Sequence, residues 1–113
     1  MFRPFLAFQT RSSDRDRQTD LGRRQAVLGV LGRQTVEIER EIAGLQRRMD
    51  EAYQRAASVL ANSDDYGERS EADEEEISRF EASAEAARRR IVELKAQLDL
   101  FSELEASLKP DAS

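Results

Sequence analysis

The chain has 113 residues, 39% of them hydrophobic and 36% charged, with a formal net charge of −5. That length allows one domain, and the balance of greasy and charged residues is poor material for a thick globular core. Cysteine and histidine are both absent, which excludes disulfides, thiol catalysis, histidine- or cysteine-based zinc sites and any imidazole acid or base.

The charge is unevenly spread. Residues 1–24 carry six Arg against three Asp, whereas residues 62–76 carry eight acids against the single Arg69. Met1–Phe8 holds Phe2, Phe5, Leu6 and Phe8, three of the five phenylalanines. Arg3, Pro4 and Gln9 interrupt the apolar stretch that a secretory signal needs, so no signal peptide is expected. With no run of roughly 18 apolar residues to span a membrane, a cytoplasmic protein is the expectation. Residues 10–20 are uniformly polar, suiting a linker behind a flexible aromatic N-terminal arm, with Thr19 and Asp20 as candidate helix caps.

A seven-residue repeat begins at residue 21. With Leu28 at position a, the a positions read Leu21, Leu28, Thr35, Ile42, Met49 and Ala56, and the d positions Arg24, Leu31, Ile38, Leu45, Ala52 and Val59. Residues 62–71, rich in Asn, Ser, Asp and Gly, break the period and favour a turn. A second repeat places Ile77, Ala84, Ile91 and Leu98 at a, and Phe80, Ala87, Leu94, Phe101 and Leu108 at d; Pro110 ends it because it has no N–H to continue a helix. Two such helices joined by a short loop predict an all-α, antiparallel coiled-coil hairpin, with helix 1 over about 20–61, helix 2 over about 72–109 and a tail at 110–113. In the register that centres the fold on residue 68, the numbers of facing a and d residues add to 136. Small residues then meet large ones, as Ala56 with Phe80 and Met49 with Ala87. At 1.5 Å per residue the rod would be about 55–60 Å long.

A single seam is thin, so a partner or a second copy is expected. Val27 and Val30 on helix 1 and Leu100 and Leu104 on helix 2 widen the apolar stripe at the open end beyond a and d. With Phe2, Phe5, Leu6 and Phe8 they form the candidate partner-binding set. The aromatic arm could dock on that flank of its own chain, or on another. The acidic run Asp73, Glu74, Glu75 and Glu76 is a second candidate, either as a functional tip or as acids stabilising a helix N-terminus. A calcium loop read from Asn62 has Tyr66, Arg69 and Asp73 where the pattern wants Asp or Asn, an uncharged residue and Glu. Arg88-Arg89-Arg90, Arg47-Arg48 and Arg23-Arg24 are interleaved with acids and point about 100° apart around a helix, so no nucleic-acid surface is expected. Ion pairs across the seam, such as Glu39 with Lys95, are the simpler role for charges of this kind. Serines without histidine, Lys95 and Lys109 on exposed positions, and no glycine-rich phosphate loop leave catalysis without footing. The protein is therefore expected to be no enzyme, with no cofactor and no metal. Lysine-poor and interrupted by Pro4, the N-terminus also speaks against membrane contact.

The layout resembles the coiled-coil accessory proteins of flagellar and type III export (the FliJ type). The residues that carry it are MFRPFLAF followed by RDRQTDLGRRQ, then Tyr53, Gln54 and Arg55 near the end of helix 1, and Phe80 on helix 2. That resemblance implies a rod in or near an export ATPase ring that escorts chaperones. The run Asp73–Glu76 followed by RIVELKAQL similarly looks like the tip and returning helix of transcription factors whose coiled-coil finger enters RNA polymerase, which would imply a regulator inserting its acidic turn into a large enzyme.

Overall fold

A computed structural model describes the backbone of residues 3–66 and 70–109, and the side chains of residues 12–62 and 70–109. It is a hairpin of two long helices, α1 (Arg3–Tyr66) and α2 (Glu71–Leu108), packed along each other. The principal extents are 100 × 23 × 14 Å.

The heptad stripe is the core. The buried apolar residues are Leu31, Ile38, Ile42, Ala52 and Ala56 on α1 and Ile77, Ala84, Ala87, Ile91 and Leu94 on α2. Every one occupies a predicted a or d position. Ile38, Ile42, Ile91 and Leu94 form the central cluster, against which Leu45, Leu98 and Phe101 pack. Polar contacts across the seam give an independent reading of the register. Glu41 bonds Arg90 and Tyr53 bonds Arg88, and these residue numbers add to 131 and 141, symmetric about 136. In an antiparallel pair such offsets are those of g facing g and e facing e.

The ends of α1 differ from the sequence expectation. The helix begins at Arg3, not near residue 20, so residues 3–20 belong to α1 and are no separate arm or linker. Thr19 and Asp20 lie inside the helix and cap nothing. Starting a helix is costly, but extending one already held by packing costs little, and no Gly or Pro occurs between Phe5 and Asp20 to stop it. Pro4 falls in the first turn, where its missing N–H has no helical partner to lose. Arg17 pairs with Asp14 at 3.2 Å and Arg23 with Asp20 at 3.3 Å, each one turn apart. At the other end α1 runs on to Tyr66, through the first five residues of the expected turn. Asn62 to Tyr66 are thus helical, incompatible with a calcium loop starting at Asn62. Residues 67–69, on which the centre of the expected turn falls, lie outside the described residues.

The boundaries of α2 match expectation closely. Ser70 is the N-cap, with extended backbone (φ −74°, ψ 161°) and a side chain that accepts from the Asp73 amide. Lys109 closes the helix with its N–H on the Glu105 carbonyl at 3.0 Å and its own backbone extended. A residue preceding proline is pushed out of the α region in this way.

Because Leu108 lies level with Leu28 in the 136 register, α1 continues alone beyond the end of α2. The overhang, residues 3–27, is roughly 37 Å long at 1.5 Å per residue. It accounts for a rod longer than the expected 55–60 Å. It also explains the one a-position leucine that stays exposed: Leu21, at 47%, has no α2 residue opposite it.

Candidate interaction surface

The open end of the hairpin carries an apolar groove between the helices. Val27 and Val30 of α1 are 47% and 48% exposed, and Leu100 and Leu104 of α2 are 50% and 41% exposed. Val27 and Leu104 both occupy g positions, and their numbers add to 131, as do those of Glu41 and Arg90. All four are therefore on one flank, with the two helices contributing two side chains each. Leu28 and Phe101, partly buried, join this flank to the seam. Among the described residues nothing covers these four side chains, so local burial does not explain them.

The remaining partner-binding candidates stand apart from the groove. Phe5, Leu6 and Phe8 fall on the first two turns of α1; their side chains, and the whole of Phe2, lie outside the described residues. Since α1 is continuous from Arg3 through Val30, residue 5 is held roughly 37 Å from Val30. With α1 helical throughout, its first turns lie well away from the groove of the same chain.

The flank continues towards the turn as a polar strip. Arg90 Nε donates to Glu41 Oε2 at 2.9 Å, and Arg90 Nη1 donates to Glu93 Oε1 at 3.3 Å. Hydrogen bonds to Glu41 first, then Glu93, raise the Arg90 guanidinium above the ordinary arginine range. Among the described residues Glu39 and Lys95 form no ion pair; the pair across the seam is Arg90 with Glu41, on the other flank. On the opposite flank Arg88 donates to the Tyr53 hydroxyl and to Glu85. The triplet Arg88-Arg89-Arg90 is thus divided between the two flanks, with its first and last members engaged by acids or a phenol.

At the turn end the acidic run has a structural use. The Asp73 amide donates to Ser70 Oγ at 3.1 Å and the Glu74 amide to the Ser70 carbonyl at 3.0 Å. Glu71, Asp73 and Glu74 sit in the first turn of α2, where negative charge opposes the positive end of the helix dipole. Asp73 and Glu76 are half-buried, Glu74 and Glu75 exposed. Among the described residues no group of three or more carboxylates is placed to hold a metal ion.

Two exposed valines were missed by the a/d pattern, and Leu60, 36% exposed at an e position, is a further apolar residue outside it. Val92, at 65%, and Val36, at 45%, both occupy b positions, on the flank opposite the groove. Their signal in the sequence is a β-branched residue where a solvated helix face normally carries a charge.

Comparison of the chain with family models, with curated proteins and with solved structures gives no match. Among the described residues no helix is long and apolar enough to cross a membrane.

Proposed function

We propose that the protein is a non-catalytic coiled-coil adaptor or assembly factor that engages protein partners through the open end of its hairpin. The observation that supports this reading is the groove of Val27, Val30, Leu100 and Leu104. Contiguous exposed apolar surface on an otherwise solvated rod marks an association site, and its placement between two helices suits a helical partner segment. A scaffolding role fits a two-helix rod whose buried apolar residues, among those described, all lie on one seam, leaving none of them to wall an enclosed pocket. A stalk in a protein-export apparatus is the particular form implied by the resemblance of MFRPFLAF, RDRQTDLGRRQ, Tyr53, Arg55 and Phe80 to that family.

The test sets the groove against the acidic turn. Replacing Val30 and Leu104 with Glu abolishes partner capture and the cellular function that depends on it, while circular dichroism remains that of the folded hairpin. Replacing Asp73, Glu74, Glu75 and Glu76 with their amides leaves both intact. The reverse pattern, with the groove variant active and the neutralised turn inactive, sinks the adaptor and favours a regulator that works by inserting its tip into a large enzyme.

A further inference from the structure

The seam of the hairpin keeps one unbroken heptad phase on both sides of the turn. Ala56 on α1 and Ile77 on α2 are both buried a positions, and they are 21 residues apart, three whole heptads. A turn imposes no such spacing, because α2 could leave it in any of seven phases and still lay its stripe on α1. A continuous helix does impose it, since only whole heptads keep both stripes on one supercoiling face. The two helices also nearly meet along the chain, α1 running to Tyr66 and α2 starting at Glu71. The only prolines are Pro4 and Pro110, so none stands between them.

We infer that two chains exchange their α2 helices, each forming one helix from α1 through α2 and pairing antiparallel with the other about a two-fold axis at residue 68. Facing residue numbers add to 136 within the hairpin, as the bonds of Arg90 to Glu41 and of Arg88 to Tyr53 show from either side. About that axis they add to 136 between chains. Every seam contact is therefore kept, with Ile38 and Ile42 of one chain packed on Ile91 and Leu94 of the other. Exchange of an identical element costs little, because only the linking segment changes. The register names the occupant: the surface complementary to the seam of α1 is α2, and a second copy brings another one.

Two features hold the chain as a hairpin when it is dilute. Ser63, Ser70 and Asp73 occupy the a, a and d positions nearest the axis, so the join adds almost no apolar surface. Residues 62–76 carry eight acids against Arg69, and the exchange sets two such stretches side by side. Two helices on a short link meet at an effective concentration on the order of 1 mM. The exchange is reached near that concentration, and salt favours it by screening the acids. The exchanged rod is roughly 195 Å long, against 100 Å for the hairpin. It carries a groove at each end, Val27 and Val30 of one chain beside Leu100 and Leu104 of the other, roughly 110 Å apart. A one-ended molecule thus becomes a two-ended one, and the inference does not rest on what the groove binds.

Sedimentation velocity tests it on the full-length chain, refolded from urea at about 1 mM in about 0.5 M salt. A dimer is expected there, and refolding at a hundredfold lower concentration gives the monomer. Nitroxides on Gln46→Cys and Lys95→Cys, in a chain that has no other cysteine, lie on one flank and within about 20 Å of each other in the hairpin. In a dimer diluted with unlabelled chains, their separation within one chain becomes about 74 Å. A dimer that keeps the short distance is two intact hairpins docked together, and it overturns the inference. Inserting one alanine after Glu68 turns the stripe of α2 by about 100° relative to α1 along a continuous helix. The dimer then falls at least tenfold while the hairpin melts as before; a dimer indifferent to the insertion overturns the inference. So does a wild type that stays monomeric at about 1 mM. None of these results touches the adaptor reading, which stands or falls on whether the Val30→Glu, Leu104→Glu variant loses its partner.

Discussion

Arg90 ties the two helices together on one flank, donating through Nε to Glu41 on α1 at 2.9 Å and through Nη1 to Glu93 on its own helix at 3.3 Å. The side chains of Arg90 and Glu41 are 43% and 45% exposed, and exposed pairs of this kind contribute little because water competes for both groups.

Glu41→Gln is therefore expected to lower the urea midpoint slightly, by far less than any substitution in the seam, and the difference should vanish in about 1 M salt. The pH dependence follows from the direction of the Arg90 shift. A basic group raised by its partners contributes fully below its unfolded pKa and loses that contribution only as pH rises through the folded value. With Arg90 raised above the ordinary arginine range, its charge adds no pH dependence to stability up to about pH 11, measurable by denaturation at constant ionic strength.

Leu94 is 1% exposed and sits among Ile38, Ile42 and Ile91. Leu94→Ala is expected to cost about 2–5 kcal/mol, the range for large cavities in packed cores. Val92→Ala, two residues earlier but on a solvated position, should stay within about 0.5 kcal/mol. Ala84 is also 1% exposed, and Ala84→Leu should destabilise by about 1–3 kcal/mol through overpacking. Urea titrations of the three variants check the seam directly.

Ser70 caps α2 by accepting from the Asp73 amide. Ser70→Ala should lower stability by about 1 kcal/mol, and Ser70→Asp should retain most of the capping effect. Loss of stability in the Ala variant alone, followed by thermal melting, identifies the cap as the cause.

Gly22, Gly32 and Gly44 lie within α1, and a Cβ built on any of them meets nothing within 4 Å. Glycine in a helix interior costs about 0.5–1 kcal/mol relative to alanine. Gly44→Ala should raise stability by about that amount, seen as a higher urea midpoint. Gly32→Ala should do the same without altering partner capture, because Gly32 is an e position and lies on the flank away from Val27 and Leu104.

Much of the hairpin is legible in the residues themselves. The seam is written redundantly: each heptad of α1 and α2 repeats the same instruction, so exceptions such as Thr35 leave the register of 136 intact. The identity of the groove residues was legible for a related reason, since Val27, Val30, Leu100 and Leu104 are apolar at g and c positions where solvated coiled coils carry charge. The extent of α1 was not. Residues 10–20 and 62–66 have the polar composition of linkers and turns, and whether they continue a helix depends on small propagation terms set by a packed neighbour, which composition does not record.

Sequence alone determined that this chain is all-α, folds back on itself near residue 68 and buries a and d positions, because periodicity is repeated along its whole length. Only the tertiary structure decided that α1 outruns α2, that Leu21 is left without a partner, that Glu41 rather than Glu39 finds a cation across the seam, and that the N-terminal turns are held far from their own groove. Those outcomes depend on where one helix stops relative to the other, a relation between distant residues that no local pattern contains.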